Sequence, residues 1–327
     1  MSILFNVFDY FANNLHKGFY HKRLAKTGKV LNNAARYNPM NHTTIPIIAL
    51  AQTTIPDSLQ RIPQPPRRLS VQAQDWQELL IHPRVAIVGS RKVSAYGRAV
   101  TEQVATAASR AGAVIVSGLA LGIDSIAHQA ALQANGKTIA ILPSGLKAIY
   151  PAGHYQLAQR ILAQGGALIS EYPPEQRAKK WTFVERNRLV SGFADALVVT
   201  EAAEKSGTLH TAAFALDQGI PVCAVPGNIT SETSKGTNRL IQMGATPILA
   251  ATDVLDLIGL KYSQAQRAQS SNPDEQCIIT LIYEGISDGQ ALLKQSKLSV
   301  AAFSQALTML EIHQIIRPLG GNQWTLA

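Results

Sequence analysis

Two cysteines in 327 residues, Cys223 and Cys277, exclude a disulfide framework or a cysteine metal site. Cys223 falls in an apolar stretch that reads as a core strand, and the two are not spaced as a redox pair. No apolar run reaches the ~20 residues needed to cross a bilayer. The start, MSILFNVFDYFANNLHKG, lacks the cationic opening and cleavage site of a secretory leader. The expectation is a cytoplasmic protein with no membrane contact, no cofactor and no metal. Two phosphate-binding signatures are missing as well: neither G-x-G-x-x-G nor G-x-x-x-x-G-K-[ST] occurs.

Negative charge is scarce. Lys and Arg number 30 against 21 Asp and Glu, a net +9, which favours a polyanionic partner. Its distribution is uneven. Residues 1–50 hold 6 cations against 1 anion and residues 51–271 hold 21 against 15, whereas residues 272–327 hold 3 against 5. Residues 1–50 read as a basic N-terminal extension, in part disordered. The stretch IPDSLQRIPQPPRRLS carries four prolines and reads as an extended connector along the surface.

What is present is organised around RVAIVGSRKVSAYG. Val85 to Val88 form a short apolar run, ended by Gly89, that reads as a buried parallel strand. Ser90, Arg91 and Lys92 follow, and a helix opens near Ser94 or Ala95, so backbone N–H groups and two cations converge on a site suited to an anion. From there to about Ile258 strands and helices alternate, which predicts an α/β fold with a mostly parallel, Rossmann-like sheet. Ligands of such sheets bind beyond the carboxyl ends of the strands. The loops expected there carry Ser90, Arg91 and Lys92, then Gly118, then the stretch KKWTFVERNR with Lys180, Phe183, Arg186 and Arg188. Lys205, Ser206, Gly207 and Lys235 follow. KKWTFVERNR interleaves cations with two large rings, the pairing single-stranded nucleic acid requires; the alternative is that Trp181 and Phe183 are core and the charges solvated.

Catalytic groupings are thin. Asp124 and His128 read as a surface i, i+4 pair, and Glu201 with Glu204 form a carboxylate pair only if both turn into the cleft. After a polar linker at residues 261–272, residues 273–327 predict three helices and a hairpin, the order of a winged helix-turn-helix domain. In its third helix Val300, Phe303, Leu307 and Leu310 make an apolar stripe, and the remaining positions carry no cation, which favours a protein contact over duplex reading.

Several segments together, VAIVGSRKVSAYG, VSGLALGIDSIAHQAAL, TIAILPSGLKAIYP, LISEYPP, FVERNRLVSGFADALVVTEAAEKSGTLHTAAFAL and AVPGNITSETSKGTNRLIQMGA, resemble the DNA-processing protein A family (DprA, also called Smf). The resemblance covers about residues 55–258 and implies an extended Rossmann domain, residues 51–260, that binds single-stranded DNA. It further implies a non-enzymatic homodimer that protects incoming DNA and loads the recombinase RecA in natural transformation. By motif, Arg91 and Lys180 correspond to phosphate contacts and Phe183 to a base contact. The helical N-terminal domain frequent in the family is not recognisable in residues 1–50. An alternative is a nucleotide-processing enzyme like the lysine-decarboxylase-like phosphoribohydrolases, although EKSGTLHTA lacks the glutamate their P-G-G-x-G-T-x-x-E loop requires.

Overall fold

A computed structural model of the chain describes residues 45–260, 270–313 and 315–326. The chain divides between Tyr262 and Ser263 into two compact units. Residues 1–44 of the basic extension expected over residues 1–50, and most of the expected linker, lie outside the described residues.

The larger unit begins with β1 (Ile47–Leu50), α1 (Asp57–Gln60), β2 (Leu69–Ala73) and α2 (Trp76–Ile81). The alternation then runs β3 (Arg84–Gly89), α3 (Ala95–Arg110), β4 (Val114–Ser117), α4 (Ile123–Gln133), β5 (Thr138–Ile141), α5 (Tyr155–Ala163) and β6 (Ala167–Ser170). It ends with α6 (Lys180–Gly192), β7 (Ala196–Glu201), α7 (Thr208–Asp217), β8 (Val222–Ala224), α8 (Lys235–Gln242), β9 (Thr246–Pro247) and α9 (Asp253–Leu257). The nine strands form one sheet in the order β1-β2-β6-β5-β4-β3-β7-β8-β9. From β6 to β9 every pairing is parallel.

Alternation along β3 shows why it is central. Val85 and Ile87 join the cluster under α3, α4 and α9, while Ala86 and Val88 join the opposite cluster under α1, α2, α6, α7 and α8. A strand covered on both faces has no polar side, and VAIV supplies none.

Three features depart from the sequence reading. First, β1 pairs antiparallel with β2, and β2 antiparallel with β6, so residues 47–50 belong to the sheet and the domain starts before residue 51. Second, the proline-rich connector is not a surface strap throughout: Ile55, Leu59 and Ile62 are buried in the core, and α6 approaches them at Gly192, where a Cβ would lie 2.9 Å from Ile62 Cγ2. Third, KKWTFVERNR is largely the first turns of α6, not a loop. Thr182, Arg186, Leu189 and Val190 share one buried face, but threonine and arginine occupy its first two positions, and Arg188, Ser191 and Gly192 are buried outside it, so no apolar stripe announces the helix.

The second unit contains α10 (Pro273–Tyr283), α11 (Gly289–Ser296), α12 (Val300–Ile312) and the hairpin β10 (Ile316–Gly320) and β11 (Gln323–Leu326). Each helix has a side-chain N-cap: Asn272, Asp288 and Ser299 accept from the backbone N–H of Asp274, Ala291 and Ala302. Phe303, Leu307 and Leu310 are buried, as the stripe predicts, whereas Val300 is 68% exposed because it is the first residue of its helix and lies beyond the core.

Replacing Leu59, fully buried in the supposed connector, by Ala lowers unfolding free energy by about 2–5 kcal/mol in urea titration, the cost of a core cavity. A loss under about 0.5 kcal/mol, the value for an exposed strap, contradicts the assigned packing.

Candidate nucleic-acid interface

The strand order reverses between β3 and β7, and the crevice there is where ligands of doubly wound sheets ordinarily lie. In this chain the crevice is filled from within. Glu201, the last residue of β7, is 2% exposed, and its Oε2 accepts from Ser94 N at 3.0 Å. Ser94 caps α3 by accepting from Gly97 N at 3.0 Å. Gly97 lies so close that a Cβ would sit 2.3 Å from Glu201 Oε2. The anion expected at this helix N-terminus is therefore a carboxylate of the protein itself, which satisfies a free N–H and the helix dipole together. Ser90 is engaged locally: its N donates to Glu201 O, its Oγ donates to Lys92 O, and Lys92 N donates to Ser90 Oγ. The Arg91 and Lys92 side chains remain exposed.

Arg91 turns toward α6. Its Cζ lies 5.0 Å from the centroid of the Phe183 ring, a cation–π contact between the loop after β3 and the first turn of α6. Lys180 is exposed on that same turn. The structure thus brings Arg91 to Phe183, and Lys180 lies one turn before Phe183 on the same helix. It also adds a ring the sequence reading passed over: Tyr150, on the loop after β5, meets Phe183 edge to face with centroids 5.4 Å apart and planes at 78°. Trp181 packs edge to face against the buried Tyr172 at 5.9 Å, beside Lys179.

Gly122 accounts for the position of Arg91. It has a φ of +86°, and a Cβ would lie 2.3 Å from Ser90 O and 2.7 Å from Arg91 Cα. The turn into α4 therefore presses on the Ser90–Arg91 backbone, and Ile123 N donates to Ser90 O at 3.1 Å.

Arg186 and Arg188 are not rim cations. Arg186 is 3% exposed; its Nη1 donates to Gly118 O at 2.6 Å and to Ile141 O, and its Nε donates to Asn187 Oδ1 at 3.3 Å. Asp124, equally buried, accepts from Gly118 N at 3.1 Å and Ala120 N at 3.3 Å. Burial draws the Arg186 guanidinium down to about 10 and pushes the Asp124 carboxyl above its ordinary value, although each charge pulls the other the opposite way. Gly118 is buried in this network, where a Cβ would meet the Arg186 guanidinium at 2.6 Å. Arg188 forms a two-pronged pair with Glu171, at 3.0 and 2.7 Å. Arg186, four residues after Thr182, shares its buried face, whereas Arg188, two residues further on and roughly 200° round the helix, is covered on another side, where Glu171 meets it.

The remaining predicted residues gather on the other side of the crevice. Lys205 and Gly207 are exposed on the loop after β7, but the nest expected at the start of α7 is partly closed, since Ser206 Oγ accepts from Thr208 N at 3.2 Å. Lys235 opens α8, which is tied to this loop by Gly236 N donating to Ala202 O at 2.8 Å; its ammonium pairs with Glu232. No cluster of metal-ligating side chains occurs among the described residues, and no described helix is long and apolar enough to cross a membrane.

His128 is not part of a surface pair. It is fully buried, with Nδ1 2.7 Å from Thr138 Oγ1. Thr138 donates its proton to Ile115 O, so His128 Nδ1–H is the donor in that contact and Nε2 is the bare nitrogen. Burial lowers its pKa from 6.5 to about 3, helped by His154 and Arg186.

Two predictions follow from this network. Arg186→Met strands two carbonyls and the Asp124 charge, and urea titration reads a loss of about 3–5 kcal/mol; single-strand affinity lost with unchanged stability contradicts the buried role. His128 stays neutral in the folded protein down to about 3 while the unfolded chain protonates from 6.5. Its contribution is complete above that value and fades as pH falls between the two, by up to about 1.4 kcal/mol per pH unit. The stability gap between parent and His128→Gln therefore shifts toward the variant from pH 7 to pH 4, and a pH-independent gap contradicts the assignment.

Comparison with known proteins gives a consistent result. A family model described as "DNA recombination-mediator protein A" matches residues 46–259. DNA processing protein DprA of Bacillus subtilis is 40% identical over 222 residues, covering 68% of this chain and 73% of that protein. The chain spans about half the length of its Mycobacterium tuberculosis and Escherichia coli relatives, 46% and 52%. The X-ray structure of DNA processing protein A from Streptococcus pneumoniae superposes with a TM-score of 0.60 at 35% identity, covering 66% of this chain and 75% of that one. The Helicobacter pylori protein, whose structure concerns its single-stranded DNA binding mode, gives 0.58 at 33% identity, covering 64% and 94%. With this match running from the first strand of the sheet to beyond its last, the chain belongs to the DNA recombination-mediator protein A family, that of the DNA processing proteins DprA and Smf.

Proposed function

We propose that this protein binds single-stranded DNA at the carboxyl end of its sheet, with Arg91 and Lys180 on phosphates and Phe183 on a base. In this reading it is a recombination mediator that shields the strand and loads the recombinase RecA on it, acting as a cytoplasmic homodimer without chemistry of its own. The observation that carries it is the 5.0 Å contact of the Arg91 guanidinium with the Phe183 ring. The guanidinium lies over the ring, so a phosphate ligand and an aromatic ring adjoin, and a flexible single strand offers a phosphate and an unpaired base together, which a duplex with its bases stacked inside does not. The subject of the Helicobacter pylori structure supports the same ligand.

The nucleotide-processing alternative needs a catalytic carboxylate in the cleft, and EKSGTLHTA lacks the glutamate of that loop. Glu201 is instead buried on Ser94 N while Glu204 is exposed, so the two do not converge. Ala301, Ser304, Gln305 and Thr308 lie on the outer side of α12, with no cation among them, and this favours a protein contact for the winged-helix unit.

Gel-shift titration over a range of salt tests the reading. The parent retains a single-stranded oligonucleotide in preference to duplex. Arg91→Ala weakens binding and reduces the log–log salt slope by roughly 0.7, one phosphate contact. Phe183→Ala weakens it by roughly 1–3 kcal/mol with the slope preserved. Parent-like binding by both variants, or a preference for duplex, rejects the proposal.

A further inference from the structure

We infer that Tyr150 is a second nucleobase contact of this site, its ring forming with Phe183 a corner that holds one base. The inference rests on the single-strand reading above and adds a residue to it.

Tyr150 lies on the loop between β5 and α5, at the carboxyl end of a parallel strand, where the sheet presents its ligands. Tyr150 is 46% exposed although its ring touches Phe183. A tyrosine serving only to pack would be covered further. The interplanar angle of 78° matters more. Two rings lying flat on each other hide a face of each, whereas an edge-to-face pair covers one ring face between them. The rings therefore stand as two walls near a right angle. A base stacked on one wall turns its edge toward the other, and Arg91 over Phe183 marks the side from which the sugar-phosphate chain is held.

The loop bearing Tyr150 is fixed at both ends. Upstream, Gly145 N donates to Gln176 O at 2.8 Å and Lys147 N to Pro174 O at 2.9 Å. A Cβ on Gly145 would lie 1.9 Å from Pro173 O, so this loop and the segment leading into α6 meet backbone to backbone. Downstream, His154 Nδ1 pairs with Leu119 O at 2.8 Å on the loop after β4. The two rings are thus carried by segments anchored to each other, and little ordering remains for the strand to impose on arrival.

The test compares the parent with Tyr150→Leu, which keeps an apolar contact for Phe183 and removes the stacking face. Binding is measured to oligothymidylate and to an abasic strand of equal length, each across a salt series. The parent prefers oligothymidylate. Tyr150→Leu binds it about 5- to 150-fold more weakly with the salt slope unchanged, and its affinity for the abasic strand equals the parent's. Irradiation of the unaltered protein with an oligonucleotide containing 5-iodouracil gives a crosslink mapping to Tyr150. Equal losses on both strands, no loss at all, or crosslinks confined to other residues overturn the inference and leave the single-strand reading standing. A parent that fails to retain single strands, or holds the abasic strand equally well, overturns that reading and the inference with it.

Discussion

A guanidinium with almost no access to water holds the working end of this molecule together. Arg186 reaches from α6 to the carbonyls of Gly118 and Ile141, so one side chain joins the helix to the ends of β4 and β5. Asp124 receives the backbone N–H groups of Gly118 and Ala120 in the same pocket. Burial moves both groups toward their neutral forms, which means that removing them from water costs more than their attraction returns. Such a network contributes geometry more than stability. It fixes the helix that carries Lys180 and Phe183, and it fixes the turn whose Gly122 presses on Arg91.

A second internal charge decides where a ligand can lie. In a doubly wound sheet the place of strand reversal is open, and a helix N-terminus beside it awaits an anion. Here Glu201 supplies that anion on Ser94 N, and Gly97 lets the carboxylate come close. The carboxylate occupies the reversal point, and Arg91 of the β3 loop turns the other way, toward the rings above β5 and β6. The fold keeps the outline of a nucleotide-binding domain while its usual phosphate seat is taken by its own side chain.

Much of this was legible in advance because strands buried on both faces are written as uninterrupted apolar runs. VAIV, VIV and TIAI each mark a strand, and the helices between them carry alanine with valine or isoleucine at helical spacing. The readings that failed share a cause. Asp124, His128, Arg186 and Arg188 are polar residue types, and a polar residue reads as exposed unless its partners are known. Those partners, Gly118, Thr138, Ile141 and Glu171, come from other strands and loops. Tyr150 was passed over for the complementary reason, since an aromatic residue reads as core until its neighbours are counted.

By itself the sequence determined the alternation of elements, the mostly parallel sheet, the second unit with its three helices and hairpin, and the kinship read over about residues 55–258, which the family model extends to 46–259. These are matters of local periodicity and of motif, which travel along the chain. Which charges face the solvent and which face inward was decided only by the tertiary structure. A guanidinium costs the same in any sequence, but its environment is set by carbonyls and carboxylates that folding brings from other strands, and no periodicity of its own segment records them.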